Sequence, residues 1–581
     1  MEKSKNKSDQ LLSVESEKLE KEKKKKKKKK KKEKEKGSIA NFDLTIQKQI
    51  VVEDNGEIRE RRLELAIKMN DDDPQIPFTI PCDQFHTRRL QTKILEVAGP
   101  SAIIYGSVKE LAINAQEKSG QVPEILMQSH GLTPDGDYVS EGMEITRSGI
   151  KQSPDIHVNL GDGNFSRHLG FLTPDPKKVR QIGKHIVTHL LELKDHRVTY
   201  PFMGHISLAP IASVISSLGK EKPILHLEGA SGGGKTFEGG LGMAFYGDFG
   251  EKVPSWTSTP NSLEAEGYWF KDSLFLIDDL KPGFTPQESV VRILQGYSGE
   301  RGRSRLNSNS TQRKTFFIRG LLLTTGEGFI GDIESVTGRT ICLKVEPEKN
   351  IKAGEQCKKF SRLYRSFTPG LIHSVISKPN WKDKTKEFVD KKTGALSRET
   401  RELSNGLRAA SSWALNALGL EFFTTYLSEL RVITQKKKEQ IMNEHMEIAQ
   451  NHLKEQMERL RGENPSEIFF RILGQKLQAG SISIEELEGM DSKGRSIGQV
   501  KDNAVLIFPD ISLEVLAGHF HALEERMPFN RNSLRDALAQ DGALHRPREG
   551  RWTKQVRDDK GTRHNAWKFE LETFKKRIGV K

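Results

Sequence analysis

Hydrophobic and polar positions change period several times along the chain, and each change marks a candidate unit. From Phe42 the stretch "FDLTIQKQIVVEDNGEIRERRLELAIKM" alternates apolar and polar residues, the two-residue period of half-buried strands. Asn55-Gly56 divides it, and Asn-Gly tolerates positive φ angles, so a tight hairpin is predicted there. Helical spacing follows around Thr92–Ala98 and Val108–Ala115, and residues 42–180 read as an N-terminal α+β domain. From Asp175 to Ser217 the pattern is helical ("KKVRQIGKHIVTHLLEL", then "HISLAPIASVISSL"). Beyond it "PILHLEG", "SLFLIDD" and "IRGLLLTTGE" are short continuous apolar runs, the signature of buried strands, and helical stretches separate them. That alternation predicts a three-layer α/β core over 181–346, with a helical lead-in, followed by a helical lid region over 347–432.

Residues 433–463 read as one connecting helix. Met442, Met446, Ala449, Leu453, Met457 and Leu460 form a narrow apolar stripe on it. His445 and His452 fall on the predicted polar side, where they are expected to be solvent-exposed rather than metal ligands. Asn464-Pro465 breaks that helix. Over 464–581 the pattern runs helix, strand, two helices and a hairpin, the order of a winged helix. Asn532 and Ser533 are cap candidates for the second of those helices, Gly542 its stop, and Asp558-Asp559-Lys560-Gly561 the hairpin turn.

Length agrees with several units, since 581 residues exceed one core. Hydrophobic content of 35% with 30% charged residues predicts a soluble protein, and no apolar run approaches the roughly 18 residues of a membrane span. Cys82, Cys342 and Cys357 are scattered, which supports neither a disulfide framework nor a cysteine-based zinc site and points to a reducing cytoplasm. The net charge of +14 is unevenly spread: residues 1–36 hold 17 lysines against 8 acidic residues, including Lys23 to Lys32 in succession. Residues 1–41 read as a disordered tail, solvated or drawn non-specifically to phosphate backbones. The body is only mildly basic.

The candidate chemistry centres on "LHLEGASGGGKTFEGG", Leu225 to Gly240, which fits G-x-x-x-x-G-K-[ST]. Backbone N–H groups of Gly229, Ala230, Ser231, Gly232, Gly233 and Gly234 would cradle phosphates at a helix N-terminus. Lys235 would reach the β- and γ-phosphates of ATP, and Thr236 would place its hydroxyl on Mg2+. Such a site needs a second metal carboxylate on a neighbouring strand, and Asp278 in "LFLIDDL" supplies one. Asp279 stands where related enzymes keep the residue that orients or deprotonates the attacking water. Many have Glu there; Asp279 is read as that base, with an extra metal-shell or helix-capping carboxylate as the alternative. Thr325, preferred over Thr324, is the candidate γ-phosphate sensor on the strand between. Arg339, opening the next apolar strand, is a candidate arginine finger into a neighbouring subunit, or a surface salt bridge.

Between the acidic and sensor strands lies "GYSGERGRSRLNSNSTQRKTF", which crowds Arg301, Arg303, Arg305, Arg313 and Lys314 into a Gly/Ser/Asn-rich loop. Arginine with glycine and serine suits contact with a single-stranded DNA backbone, an inter-subunit or nucleotide contact being the alternative. On the winged-helix candidate, Arg531 and Arg535 mark a recognition helix. Arg546, Arg548, Arg551, Lys554, Arg557, Lys560 and Arg563 mark the wing and its approach, for DNA or for packing against protein.

The ordered set "HLEGASGGGKT", "WTSTPNSLEAEG", "LFLIDDL", "GERGRSR" and "LLLTTGE" resembles domain-of-unknown-function family 927, and "TKILEVAGPSAIIYG" and "GLTPDGDYVSEGMEITRSG" resemble the segment that precedes it. The resemblance spans roughly residues 90–350. It implies a P-loop core similar to AAA+ and superfamily 3 proteins, ATP and Mg2+ as cofactors, and a homo-oligomeric, hexamer-like ring. It further implies a DNA helicase or translocase serving replication of a phage, plasmid or other mobile element. Lys235, Thr236, Asp278, Asp279, Thr325 and Arg339 match that plan. The N-terminal residues depart from it, carrying neither a cysteine-rich zinc module nor a primase carboxylate cluster. The competing reading is a regulatory or defence P-loop ATPase that switches a protein–protein interaction without unwinding DNA.

Overall fold

Alternation from Asp43 onward builds the first sheet. A computed structural model describes residues 38–579 except 71, 162, 251, 282–283, 299–304, 307–311, 314–315, 329–335, 337, 348–349, 400–405, 464, 488–493, 524–526, 528, 546–551 and 559–560, with backbone alone at 298, 305–306, 312–313, 399 and 456–463. Most of the Lys-rich tail, Arg301, Arg303 and Arg551 therefore lie outside the described residues, as does the side chain of Arg305.

Strands β1 (Asp43–Asp54) and β2 (Glu57–Lys68) pair antiparallel through a two-residue turn in which Asn55 has φ 56° and Gly56 φ 81°. This is the left-handed pair that Asn-Gly accommodates. With β3 (Ile76–Pro81), β4 (Glu124–Ser129) and β9 (His157–Asn159) they form a sheet of order β3-β2-β1-β4-β9. Helices α1 (Arg88–Ala98), capped by Thr87, and α2 (Val108–Ser119), closed by a Ser107–Glu110 capping box, cover it. Leu44, Leu65, Ile67, Leu90, Ile94 and Leu111 make that core. A meander of β5 (Gly131–Leu132), β6 (Tyr138–Ser140), β7 (Met143–Thr146) and β8 (Gly149–Gln152) follows β4. Its Leu132, Tyr138, Met143 and Ile145 belong to the large central core, so hydrophobic packing divides the chain earlier than residue 180.

The central core gathers α3 (Pro176–His185), α4 (His196–Leu208) and α5 (Ala212–Ser217) around a four-stranded parallel sheet. The run His196–Ser217 is long and apolar enough to cross a membrane, yet 94% of its 18-residue apolar window is buried inside the protein. The sheet holds β10 (Ile224–Glu228), β11 (Leu274–Leu280), β14 (Leu321–Gly326) and β15 (Thr340–Lys344) in the order β11-β14-β10-β15. Between them come α6 (Lys235–Met243), α7 (Pro260–Tyr268), α8 (Gln287–Ser298) and the short antiparallel pair β12 (Arg305–Leu306) and β13 (Gln312–Arg313).

After β15 the chain is helical, with α9 (Ile351–Phe360), α10 (Thr368–Ile376), α11 (Trp381–Leu396), α12 (Gly406–Glu429) and α13 (Gln435–Glu463). Helix α12 crosses α4 where glycines meet: a Cβ on Gly419 would lie 1.9 Å from the Gly204 carbonyl oxygen. Asn416 fastens the crossing by donating to the Pro201 carbonyl at 2.8 Å.

The histidines of α13 correct the sequence reading. His445 is fully buried and hydrogen-bonded to Asn416 Oδ1 at 2.8 Å, and His452 is partly buried with Nε2 2.5 Å from the Cys342 carbonyl oxygen. They follow Met442 and Ala449 by three residues, so helical geometry turns them inward toward Trp413, on the side of the apolar stripe. Among the described residues no cluster of metal-ligating side chains occurs.

The C-terminal unit has its own core, with Phe469, Ile497, Leu534, Trp567 and Phe574 among its members. It runs α14 (Pro465–Gln478), β16 (Ile482–Glu485), β17 (Arg495–Lys501), β18 (Ala504–Ile507), α15 (Pro509–Ala522) and α16 (Arg531–Gln540), then β19 (Leu544–His545), β20 (Lys554–Arg557), β21 (Arg563–Glu570) and α17 (Leu571–Ile578). Three strands stand where one was expected, because Asp502 and Asn503, at φ 53° and 58°, turn β17 into β18 as a tight hairpin. The cap of α16 is Asn530 rather than Asn532 or Ser533; Ser533 instead closes the box by accepting from the Asn530 N–H.

One buried ion pair ties the first sheet to the centre. Asp54, at the end of β1, accepts from Arg319 Nη1 and Tyr268 OH at 2.8 Å each, and from Ser129 Oγ at 2.5 Å. The Arg319 guanidinium lies 3.7 Å from the Tyr268 ring centroid, just ahead of β14. Burial alone would raise the Asp54 carboxyl; the Arg319 charge and the three donors outweigh it and hold the group well below the usual carboxylate range.

Candidate active site

Strand β10 delivers the chain into the glycine loop at the C-terminal end of the parallel sheet. Gly232 and Gly234 have φ +80° and +87°, conformations that glycine adopts without a Cβ penalty. Gly229 is required for a different reason: a Cβ there would lie 2.3 Å from the Val345 carbonyl oxygen. The Gly229 N–H donates to Gly326 O at 3.1 Å, seating the loop on the end of β14. Lys235 opens α6, and its ammonium donates to the carbonyls of Gly229 and Ala230 at 2.6 and 2.7 Å.

Asp278 meets this loop from β11. Leu274, Leu276 and Asp278 share the face of β11 toward α6, where the Gly239 position lies against Leu276 and Thr325. Thr236 Oγ1 reaches both carboxylate oxygens of Asp278, at 3.0 and 3.1 Å. Thr325 donates its hydroxyl to Asp278 Oδ1 and accepts the Asp279 backbone N–H at 3.1 Å. Thr324 points elsewhere and takes a 2.7 Å bond from Trp256 Nε1. The two hydroxyls thus face opposite sides of β14, the strand that lies between β10 and β11.

The β11–β14 register slips between Ile277 and Leu280, and Asp279 sits in the slip with φ +65°. This bulge turns two successive carboxylates different ways. Asp278 is buried against Thr236, while Asp279 is half-buried and paired with Lys281 at 3.1 Å. The ion pair raises the Lys281 ammonium above its ordinary value.

Arg339 lies at the other end of the sheet. Its carbonyl accepts from Ile224 N, so it precedes β15 at the N-terminal edge, while the glycine loop leaves β10 at the opposite edge. A five-residue strand separates the two by about 16 Å, at 3.3 Å per residue. Its guanidinium pairs with Glu221 at 2.5 Å within the same chain. Of the residues proposed for DNA, those described with side chains lie in the C-terminal unit. Arg535 bonds Asp536 and Asn532 and lies 5.8 Å from the Trp552 ring centroid, Arg531 pairs with Asp510 at 2.5 Å, and Lys554 is exposed on β20.

Sequence reasoning missed Lys194. Its ammonium donates to Glu346 O at 2.6 Å and to Gly233 O of the glycine loop at 3.2 Å, with the Glu238 carboxylate 3.5 Å away. "LLELKDHR" offers no motif to flag it, because these partners lie 39 to 152 residues away along the chain.

With that geometry in place, the chain can be set beside known proteins. Residues 192–315 match the model of a domain of unknown function, DUF927. Among curated proteins there is no match. The solved structure of SCCmec type IV Cch, described as an active helicase, superposes with a TM-score of 0.56 over 93% of this chain and 95% of that one, at 14% identity. At that identity the likeness is one of fold. The A form apo structure of the NrS-1 C-terminal region covers 87% of this chain and 93% of its own at 10% identity, with a TM-score of 0.28, too low to imply a shared fold.

Proposed function

We propose that this chain is an ATP-driven DNA helicase or translocase that serves replication of a mobile element. The observation that carries the ATPase is the hydroxyl–carboxylate–hydroxyl chain Thr236–Asp278–Thr325, which joins the glycine loop, the acidic strand and the strand between them at one end of a parallel sheet. Lys235 binds the β- and γ-phosphates on leaving its loop carbonyls, and the loop N–H groups bind the remaining phosphate oxygens. The hard-oxygen donors Thr236 and Asp278 suit Mg2+, which neutralises phosphate charge when bound. Asp279 orients the attacking water once it leaves Lys281, and Thr325 reports the γ-phosphate through Asp278. Arg339 lies far from its own glycine loop, so a finger role belongs to a neighbour's site in a ring.

The DNA assignment is supported by the fold likeness to Cch, the family match, and the basic hairpin between the acidic and sensor strands. ATPase turnover with and without single-stranded DNA tests it, with Lys235→Ala as control. DNA stimulation that the variant abolishes is the expected outcome. Equal turnover in both conditions would reject DNA as the driven substrate and favour the regulatory ATPase.

A further inference from the structure

The glycine loop is backed by a buried charge pair that belongs to none of its motif positions. Lys194 lies in the turn between α3 and α4, and its side chain is only 4% exposed. Glu238 lies in the first turn of α6, one turn after Lys235, and is equally buried. Lys194 contacts three things at once: the Gly233 carbonyl, the Glu346 carbonyl where β15 ends, and the Glu238 carboxylate.

Two physical consequences follow. A carbonyl that accepts from an ammonium on the protein side is turned away from the cradle, which keeps the neighbouring N–H groups facing inward. A carboxylate in the first turn of a phosphate-binding helix sets negative charge close to a polyanion in a poorly screened interior. A lysine beside it cancels that charge.

We infer that Lys194 is a positioning residue for the glycine loop: it fixes the Gly233 carbonyl and neutralises Glu238, so that a nucleoside polyphosphate binds with an affinity that rises with its phosphate charge. The inference rests on the reading of this loop as an ATP site. It extends that reading to a residue of the helical lead-in, and makes the lead-in part of the nucleotide site.

The test measures dissociation constants for ATP and ADP, with apo thermal unfolding alongside, for the full chain and for Lys194→Met, Glu238→Gln, the double variant and Lys235→Ala. Lys194→Met should weaken ATP about tenfold or more, and ATP more than ADP, because it takes the Lys194 charge away from a buried carboxylate in the first turn of α6. The nearly isosteric Glu238→Gln should keep the fold and tighten ATP a few-fold. Adding Glu238→Gln to Lys194→Met should restore most of the lost affinity. If Lys194→Met lowers the melting temperature but leaves both affinities and their ratio at wild-type values, the residue is structural and the inference is overturned. Unchanged affinity in Glu238→Gln overturns the charge argument even where Lys194→Met fails to fold. Wild type that binds no ATP overturns the reading of the site itself, whereas binding that only Lys235→Ala abolishes overturns this inference alone.

Discussion

Replacing Asp54 by Ala should destabilise the protein far beyond what a surface carboxylate is worth. Asp54 and Arg319 are 7% and 9% exposed, and the substitution strands a guanidinium that still stacks on Tyr268 but has lost its counter-charge. It also removes the acceptor for Tyr268 and Ser129. Breaking one side of a buried pair typically costs about 3–5 kcal/mol. Asp54→Asn should cost less, since an amide oxygen still accepts from both hydroxyl donors. In a double-mutant cycle with Arg319→Met the two residues should couple by about 2 kcal/mol, because the second substitution removes the stranded charge. Urea unfolding followed by circular dichroism for the whole chain and by tryptophan fluorescence from Trp256 and Trp269 for the central unit reads this out. A loss under about 1 kcal/mol for Asp54→Ala, or additive single and double variants, would refute the claim that this pair holds the first sheet to the core. The contribution should be constant across neutral pH. The folded carboxyl is depressed, so its stabilisation is complete above the unfolded value near 3.9 and is lost only as pH falls below it.

Three further outcomes are expected. Thr325→Val, which keeps the shape and removes the hydroxyl shared by Asp278 and the Asp279 N–H, should lower kcat about tenfold or more with little change in ATP affinity, while Thr324→Val should disturb only packing around Trp256. Arg339→Ala should keep ATP binding and lose about a thousandfold in kcat, whereas Glu221→Gln, which breaks the same pair from the other side, should leave kcat unchanged; wild-type hydrolysis in Arg339→Ala would reject the finger. Burial lowers the imidazoles of His130, His205, His226 and His445 to about 3, so the folded protein stays unprotonated there while the unfolded chain takes up protons below about 6.5. Stability should therefore fall as pH drops from about 6.5 toward 3, by up to about 1.4 kcal/mol per pH unit per histidine, and a melting series in which His445→Gln leaves the slope unchanged would contradict its share.

What the sequence made legible was local. Asn55-Gly56, the glycine loop and the Asp278 strand each declare themselves within a few residues, because a turn, a glycine-rich loop or a buried strand is specified by its own spacing. On β14 it is the structure that separates the two threonines, turning Thr325 toward Asp278 and Thr324 toward Trp256. The misses came from contacts between distant segments. His445 looked polar on a helical wheel drawn with a narrow stripe, yet α13 packs against both α12 and β15 and needs a wider buried face. Lys194 has no local signature at all. The Asp502-Asn503 hairpin was readable in principle, since both residues tolerate left-handed backbone, but Asp-Asn is a weaker signal than Asn-Gly.

The left-handed backbone at Asp279 bears on the short carboxylate at the position proposed above to orient water. Two demands meet at that residue. The bulge asks for a side chain that accepts positive φ at low cost, which favours glycine, asparagine or aspartate. A water-orienting role asks for an acid. Glycine and asparagine meet the first demand and glutamate the second; aspartate meets both. The bulge and the proposed role therefore converge on one residue type, and Asp279→Glu would set backbone strain at φ +65° against the longer reach.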